Sequence, residues 1–282
     1  MSVRSTGLLF VVGAFIAGTV VAQPPLDRLR KNKTSDGKAD TSKLTTVTWK
    51  IGDATREALL HKPGSTDAKR PVVFAFHGHG GKAEHAARRF AFHQHWPEAV
   101  CVYPQGLPTA VPGLDPNGKL PGWQKYIGDQ KDRDIELFDA MLKTLTADYQ
   151  IDEKRVYVAG HSNGGFFTYI LWAARGDKLA AVAPVAATAS IRDFRSQKPL
   201  PVLHVAGEAD RIVKFAGQEL TIGQVRKLNG CDSEGHAAGK WCTEYRSSNG
   251  PSVVAYIHPG GHEIPEGAPE RIVRFFQEHP RK

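Results

Sequence analysis

The chain has 282 residues, 41% of them hydrophobic, enough to bury one substantial core, and one large domain is the simplest count. Thirty-seven Lys and Arg against 29 Asp and Glu leave a formal net charge of +8. A basic surface suits anionic polymers, cell-wall material or plain solvation; nucleic acid is a poor fit, because no binding motif appears and the chain reads as exported, so no nucleic-acid partner is expected.

The first 22 residues read as a secretory signal peptide. Arg4 supplies a positive start, residues 7–21 are apolar, and Val20-Val21-Ala22 puts small residues at the cleavage position. The apolar run is shorter than the roughly 20 residues of a spanning helix. The mature chain is therefore expected to begin near Gln23, to be secreted or periplasmic, and to have no stable membrane insertion. Residues 23–43 hold Arg28, Arg30, Lys31, Lys33, Lys38 and Lys43 against Asp27, Asp36 and Asp40, with no apolar period. They read as a basic disordered tether.

From residue 44 to the end, strand-like and helix-like runs alternate. Residues 45–50 and 55–61 read as an edge hairpin with Val47 and Trp49 on one face. The fully apolar run 71–76 suits a buried parallel strand. A helix is predicted over 83–96, ended by Pro97, and a strand over 99–103. The stretch 104–130 is irregular, rich in Gly and Pro, and holds Trp123. The helix over 132–149 places Ile135, Phe138, Leu142 and Leu145 at helical spacing. Strands follow at 156–159, 181–186, 201–206 and 253–257, with helices after 165, over 218–228 and over 271–278. This alternation predicts a single α/β domain over 44–282 built on a mostly parallel, doubly wound sheet.

Gly160-His161-Ser162-Asn163-Gly164 lies between the apolar run Val156-Tyr157-Val158-Ala159 and a helix-like stretch. G-x-S-x-G at a strand-to-helix junction is a nucleophile elbow, which makes Ser162 the candidate nucleophile. A serine hydroxyl needs a base, and the base needs an orienting acid; after an elbow these follow in the order acid, then His. Among the later aspartates only Asp210 leaves a strand by a short turn, Gly207-Glu208-Ala209, with Glu208 and Asp193 as fallbacks. Asp177 reads as a helix-end residue and Asp232 as part of a loop. His262, after Pro259-Gly260-Gly261, is the candidate base. His258 reads as structural, His236 as exposed and His204 as a core residue.

His77-Gly78-His79-Gly80-Gly81 follows the 71–76 strand and is placed to form an oxyanion loop. The backbone N–H groups of His79 and Asn163 are the candidate donors. A metal reading of His77 and His79 with His93 and His95 lacks a thiolate or carboxylate at ligand spacing, so no metal and no cofactor is assigned, and His77 is expected to brace the loop. Trp123 borders the loop and is a candidate to stack on substrate, the alternative being that it packs the loop onto the domain. Cys231 and Cys242 bracket a polar loop and are expected to form a disulfide, a contribution of roughly 2–3 kcal/mol if unstrained. Cys101 reads as an inert buried thiol.

Together the elbow, the 77–81 loop, the Gly207-Glu208-Ala209-Asp210 turn and Gly260-Gly261-His262 resemble the polyhydroxybutyrate depolymerase / feruloyl esterase group of α/β-hydrolases. The likeness runs from Val47 to the C-terminus, in order and with similar spacing. It implies an α/β-hydrolase domain without a large lid, and a secreted serine esterase acting on feruloyl, acetyl or short hydroxyalkanoate esters, polysaccharide-linked or polyester. Many relatives carry Trp-Pro after the catalytic histidine, where this chain has Glu263-Ile264-Pro265. An acyltransferase or peptidase on the same triad, and a non-catalytic binding protein on the same scaffold, are the competing readings.

Overall fold

Runs of apolar residues become strands and the amphipathic runs between them become helices in the computed structural model, which describes residues 39–64, 68–189 and 198–282. The expected signal peptide, most of the expected tether and the fallback acid Asp193 lie outside the described residues. The predicted edge hairpin is present as β1 (Thr45–Ile51) and β2 (Ala54–His61). β3 (Arg70–Phe76), β4 (Val100–Pro104), β7 (Ile151–His161), β8 (Ala181–Val185), β9 (Val202–Gly207) and β12 (Val253–His258) form the parallel centre of the sheet. The 104–130 stretch contributes only the short pair β5 (Leu107–Pro108) and β6 (Pro121–Gly122). A hairpin that the sequence did not signal, β10 (His236–Ala237) with β11 (Cys242–Tyr245), pairs antiparallel onto β12. The main sheet runs β1-β2-β4-β3-β7-β8-β9-β12-β11-β10 among the described residues.

Two faces of this sheet bury two separate cores. Along β3 the residues alternate: Val72, Phe74 and Phe76 join one cluster, Val73 and Ala75 the other. The first is covered by α3 (Arg133–Tyr149) and α4 (Asn163–Arg175), through Ile135, Phe138, Phe167 and Ile170. Val225 of α5 (Phe215–Leu228) joins the same cluster. The second is covered by α1 (Ala83–Phe90), α2 (Phe92–His95) and α6 (Ala268–Glu278), through Phe90, Phe92, Ile272 and Phe276. Both faces of β3, β4 and β8 are buried along their whole length, which is why they read as continuous apolar runs. The expected doubly wound α/β architecture is the observed one.

Two expectations change. The helix predicted over 83–96 is two helices, because Ala91 takes a left-handed conformation at φ 46°, and both Phe90 and Phe92 are thereby fully buried. The expected disulfide is absent. Cys231 packs against the cluster that holds Val72, and its thiol points to Pro251 O at 3.8 Å, whereas Cys242 belongs to the cluster on the opposite face. Both are free thiols, as is fully buried Cys101.

Candidate active site

In an open parallel sheet the functional groups gather where strands end and helices begin. Ser162 stands at such a junction, between β7 and α4, with φ 55° and ψ −121°. A non-glycine residue at positive φ carries strain, and the surroundings must hold it there. They do so by close approach: a Cβ on Gly160 would run into Gly164 O, and one on Gly164 into Phe76 O. The turn is further held by Ser162 N–H donating to Val185 O at 2.9 Å.

The candidate acid and base emerge from the neighbouring strands. Glu208 N–H donates to His258 O at 2.9 Å and Ala209 N–H to Gly260 O at 3.0 Å, so the turn after β9 and the turn after β12 are stitched together. That brings His262 Nδ1–H to Asp210 Oδ2 at 2.8 Å, with the carboxylate side chain fully buried. Oδ1 of Asp210 accepts from the N–H groups of Ile212 and Val213, each at 2.9 Å. Oδ2 also accepts from Gln218 Nε2 at 3.0 Å. Glu208, the fallback acid, is exposed on the same turn. The ring of His161 lies 4.9 Å from that of His262. Burial holds His161 well below its ordinary pKa, with the positive field of His262 and Arg89 adding to the effect, so a neutral ring faces His262.

The 77–81 loop is braced by bonds within itself and from outside by Gly106, Pro121 and Asp115. Gly106 N–H donates to His77 Nε2 at 2.9 Å, and Nδ1–H donates to Gly78 O at 2.7 Å. Both nitrogens are thereby committed, and burial lowers the His77 pKa to about 4. Gly80 N–H donates to Pro121 O at 2.7 Å, and Gly81 N–H to Gly78 O at 2.9 Å. The His79 ring donates from Nε2 to Asp115 Oδ2 at 3.3 Å. No acceptor among the described residues takes the backbone N–H of His79 or that of Asn163, the first residue of α4. A Cβ on Gly78 would come within 3.3 Å of Ser162 Cβ, which places the loop directly beside the elbow.

Trp123 does not line a binding surface. It is fully buried, its indole N–H donates to His77 O at 2.8 Å, and its ring stacks on Phe167 at 5.5 Å. Of the two sequence expectations for it, packing of the loop onto the domain is the one this structure shows. What fastens it was missed: the Asn163 amide accepts from Trp123 N–H at 2.7 Å and donates to Trp123 O at 3.3 Å. The sequence drew attention to the Asn163 backbone but carried no signal for its side chain. His93 is bound up with Tyr103 and Asp40 O. No group of His, Cys, Asp or Glu among the described residues is arranged to hold a metal.

The Prolyl oligopeptidase family matches residues 122–211, the stretch that holds Ser162 and Asp210. A probable feruloyl esterase C of Aspergillus oryzae is 27% identical over 266 residues, which cover 87% of this chain and 91% of that protein. A bifunctional acetylxylan esterase/xylanase of Neocallimastix patriciarum is 26% identical over 210 residues, covering 72% of this chain; the chain spans 28% of that protein's length. Among solved structures, an acetyl xylan esterase from Aspergillus awamori superposes with a TM-score of 0.61 at 13% identity, over 83% of this chain and 99% of that one. The chain has the α/β-hydrolase fold, and its sequence is similar to feruloyl and acetylxylan esterases. These relatives make it a carboxylic-ester hydrolase. No helix among its described residues is long and apolar enough to cross a membrane.

Proposed function

We propose that this hydrolase cleaves carboxylic esters with Ser162 as nucleophile, His262 as general base and acid, and Asp210 as the orienting carboxylate. The observation that carries the reading is the 2.8 Å contact from His262 Nδ1 to buried Asp210 Oδ2. An ionised carboxylate can only accept there, so the ring proton sits on Nδ1 and Nε2 is bare. Bare Nε2 takes the proton of Ser162 Oγ as the oxygen attacks the ester carbonyl. The backbone N–H groups of His79 and Asn163 receive the oxyanion, a device worth roughly a hundred- to a thousand-fold for each donor. The imidazolium then returns its proton to the leaving alcohol, and water clears the acyl-enzyme by the same steps in reverse. His161, held neutral beside it, adds no charge to oppose the imidazolium.

The proposed substrates are feruloyl or acetyl esters, carried on a polysaccharide in the cell wall. The names of the relatives at 26–27% identity support this choice. Export from the cytoplasm, by way of a signal peptide ending near Ala22, fits such a substrate and rests on Arg4 and the apolar residues 7–21. One panel tests the reading: methyl ferulate, acetylated xylan, p-nitrophenyl acetate, polyhydroxybutyrate granules and a p-nitroanilide of matched acyl group. Turnover of the first three is expected, with the anilide inert. Cleavage of the anilide alone would turn the assignment to a peptidase, and inertness toward every ester would overturn it.

A further inference from the structure

Behind Asp210 runs a line of buried polar side chains for which the chemistry above has no use. Gln218 on α5 is fully buried, and its Nε2 donates both to Asp210 Oδ2 at 3.0 Å and to Val213 O at 2.7 Å. Two acceptors on one side set the amide with nitrogen toward the acid and Oε1 turned away from it. His204 on β9 is fully buried, and its Nδ1 lies 2.7 Å from the hydroxyl of Tyr169 on α4. Gln218 Oε1 and His204 Nε2 are both buried and make no hydrogen bond in close geometry among the described residues, and the two side chains are neighbours: an interaction with the Gln218 side chain opposes the burial that lowers the His204 pKa to about 4.

One order of protons satisfies all of these atoms. Burial pushes the Tyr169 phenol well above its ordinary pKa, so it keeps its proton and donates it to His204 Nδ1. Neutral His204 then carries its own proton on Nε2, aimed at Gln218 Oε1. Gln218 passes the same direction on through Nε2 to Asp210 Oδ2, beside the site where His262 Nδ1–H donates. Reversing any link would set donor against donor or acceptor against acceptor in a buried place, where an unmade hydrogen bond is costly. The line also begins on α4, the helix that starts at the elbow, so it returns from the acid to the element carrying Ser162.

We propose that Tyr169, His204 and Gln218 are positioning residues of the ester-hydrolysing site: a directional hydrogen-bond relay that holds Asp210 with its Oδ2 lone pair toward His262 and so keeps His262 in the Nδ1–H tautomer. This rests on the triad reading given above. The relay touches no substrate and moves no proton during turnover; it sets the direction in which the acid accepts.

The test is steady-state kinetics on p-nitrophenyl acetate for Gln218→Met, His204→Leu, His204→Gln and Asp210→Asn. Melting temperature and the downfield proton resonance of the His262 Nδ1–H are followed in each variant. Gln218→Met and His204→Leu are expected to lower kcat about ten- to a hundred-fold, the scale of a lost hydrogen bond to a charged group, with KM little changed and the His262 resonance shifted or broadened. His204→Gln restores a donor toward Gln218 and is expected to recover most of kcat without recovering the melting temperature. Should His204→Leu not fold, Gln218→Met reads the same relay from its other link. Lower melting temperatures with kcat and the His262 resonance unchanged would reduce the three residues to packing and overturn the proposal, while Asp210→Asn would still be inactive. Full activity in Asp210→Asn would instead sink the triad reading, and the relay with it.

Discussion

Replacing Asp210 with Asn changes one atom, and the structure says which way the new amide must point. Oδ1 receives two backbone N–H groups, from Ile212 and Val213, both at 2.9 Å and both on the fixed turn after β9. An NH2 at that position would face two donors, so the amide oxygen stays there and the nitrogen takes the place of Oδ2. It then confronts Gln218 Nε2, at 3.0 Å in the parent, and His262 Nδ1, at 2.8 Å. The imidazole escapes the clash by giving up its Nδ1 proton, which moves to Nε2, and the ring can no longer accept from Ser162. The wrong tautomer and the missing counter-charge together are worth about ten-thousand-fold in kcat on the scale known for a serine protease, or about 5 kcal/mol of barrier. Initial rates on p-nitrophenyl acetate measure the loss, with circular dichroism to establish that the variant is folded. A folded Asp210→Asn variant within tenfold of the parent kcat would refute the reasoning.

Trp123→Ala should destabilise the fold by about 3–5 kcal/mol, because it removes a fully buried ring from between Phe76 and Phe167; thermal unfolding measures this, and a change below 1 kcal/mol would mean that the ring is not the packing wedge described. His77 and His204 are both held by burial at a pKa of about 4, below the ordinary value near 6.5. The unfolded chain therefore binds more protons than the native state between those values, so stability is full above about pH 6.5 and falls as pH drops toward 4; a melting temperature that rose as the pH was lowered from about 6.5 to 4 would contradict the assignment. With all three cysteines free, the protein denatured without reductant should take up three alkyl groups, and uptake of one would restore the bridge between Cys231 and Cys242.

Much of this molecule was legible in the chain because its signals are local. The strands of the parallel centre are buried on both faces, so each is a bare apolar run between breakers. The elbow shows itself through glycines that only close backbone contact requires, and Asp210 through the shortness of its turn after β9. What was not legible depends on partners far apart in sequence. The break at Ala91 follows from two phenylalanines each finding the same core, and no residue type marks it. Trp123 sits in a glycine-rich loop that reads as exposed, yet its ring is drawn between Phe76 and Phe167 and tied to His77 O. The spacing of Cys231 and Cys242 suited a staple, but Cys231 packs against one cluster while Cys242, on β11, belongs to the other. His204 read as an inert core residue because neither Tyr169 nor Gln218 is near it along the chain.

The identity of the nucleophile is the point on which the functional account turns, and covalent labelling tests it most directly. A fluorophosphonate should add one phosphonyl group to the intact protein, mapped by peptide mass to the segment that contains Ser162. Ser162→Ala should take up none and should lose turnover by about a million-fold while remaining folded. Labelling of a different residue, or appreciable ester hydrolysis by folded Ser162→Ala, would contradict the account.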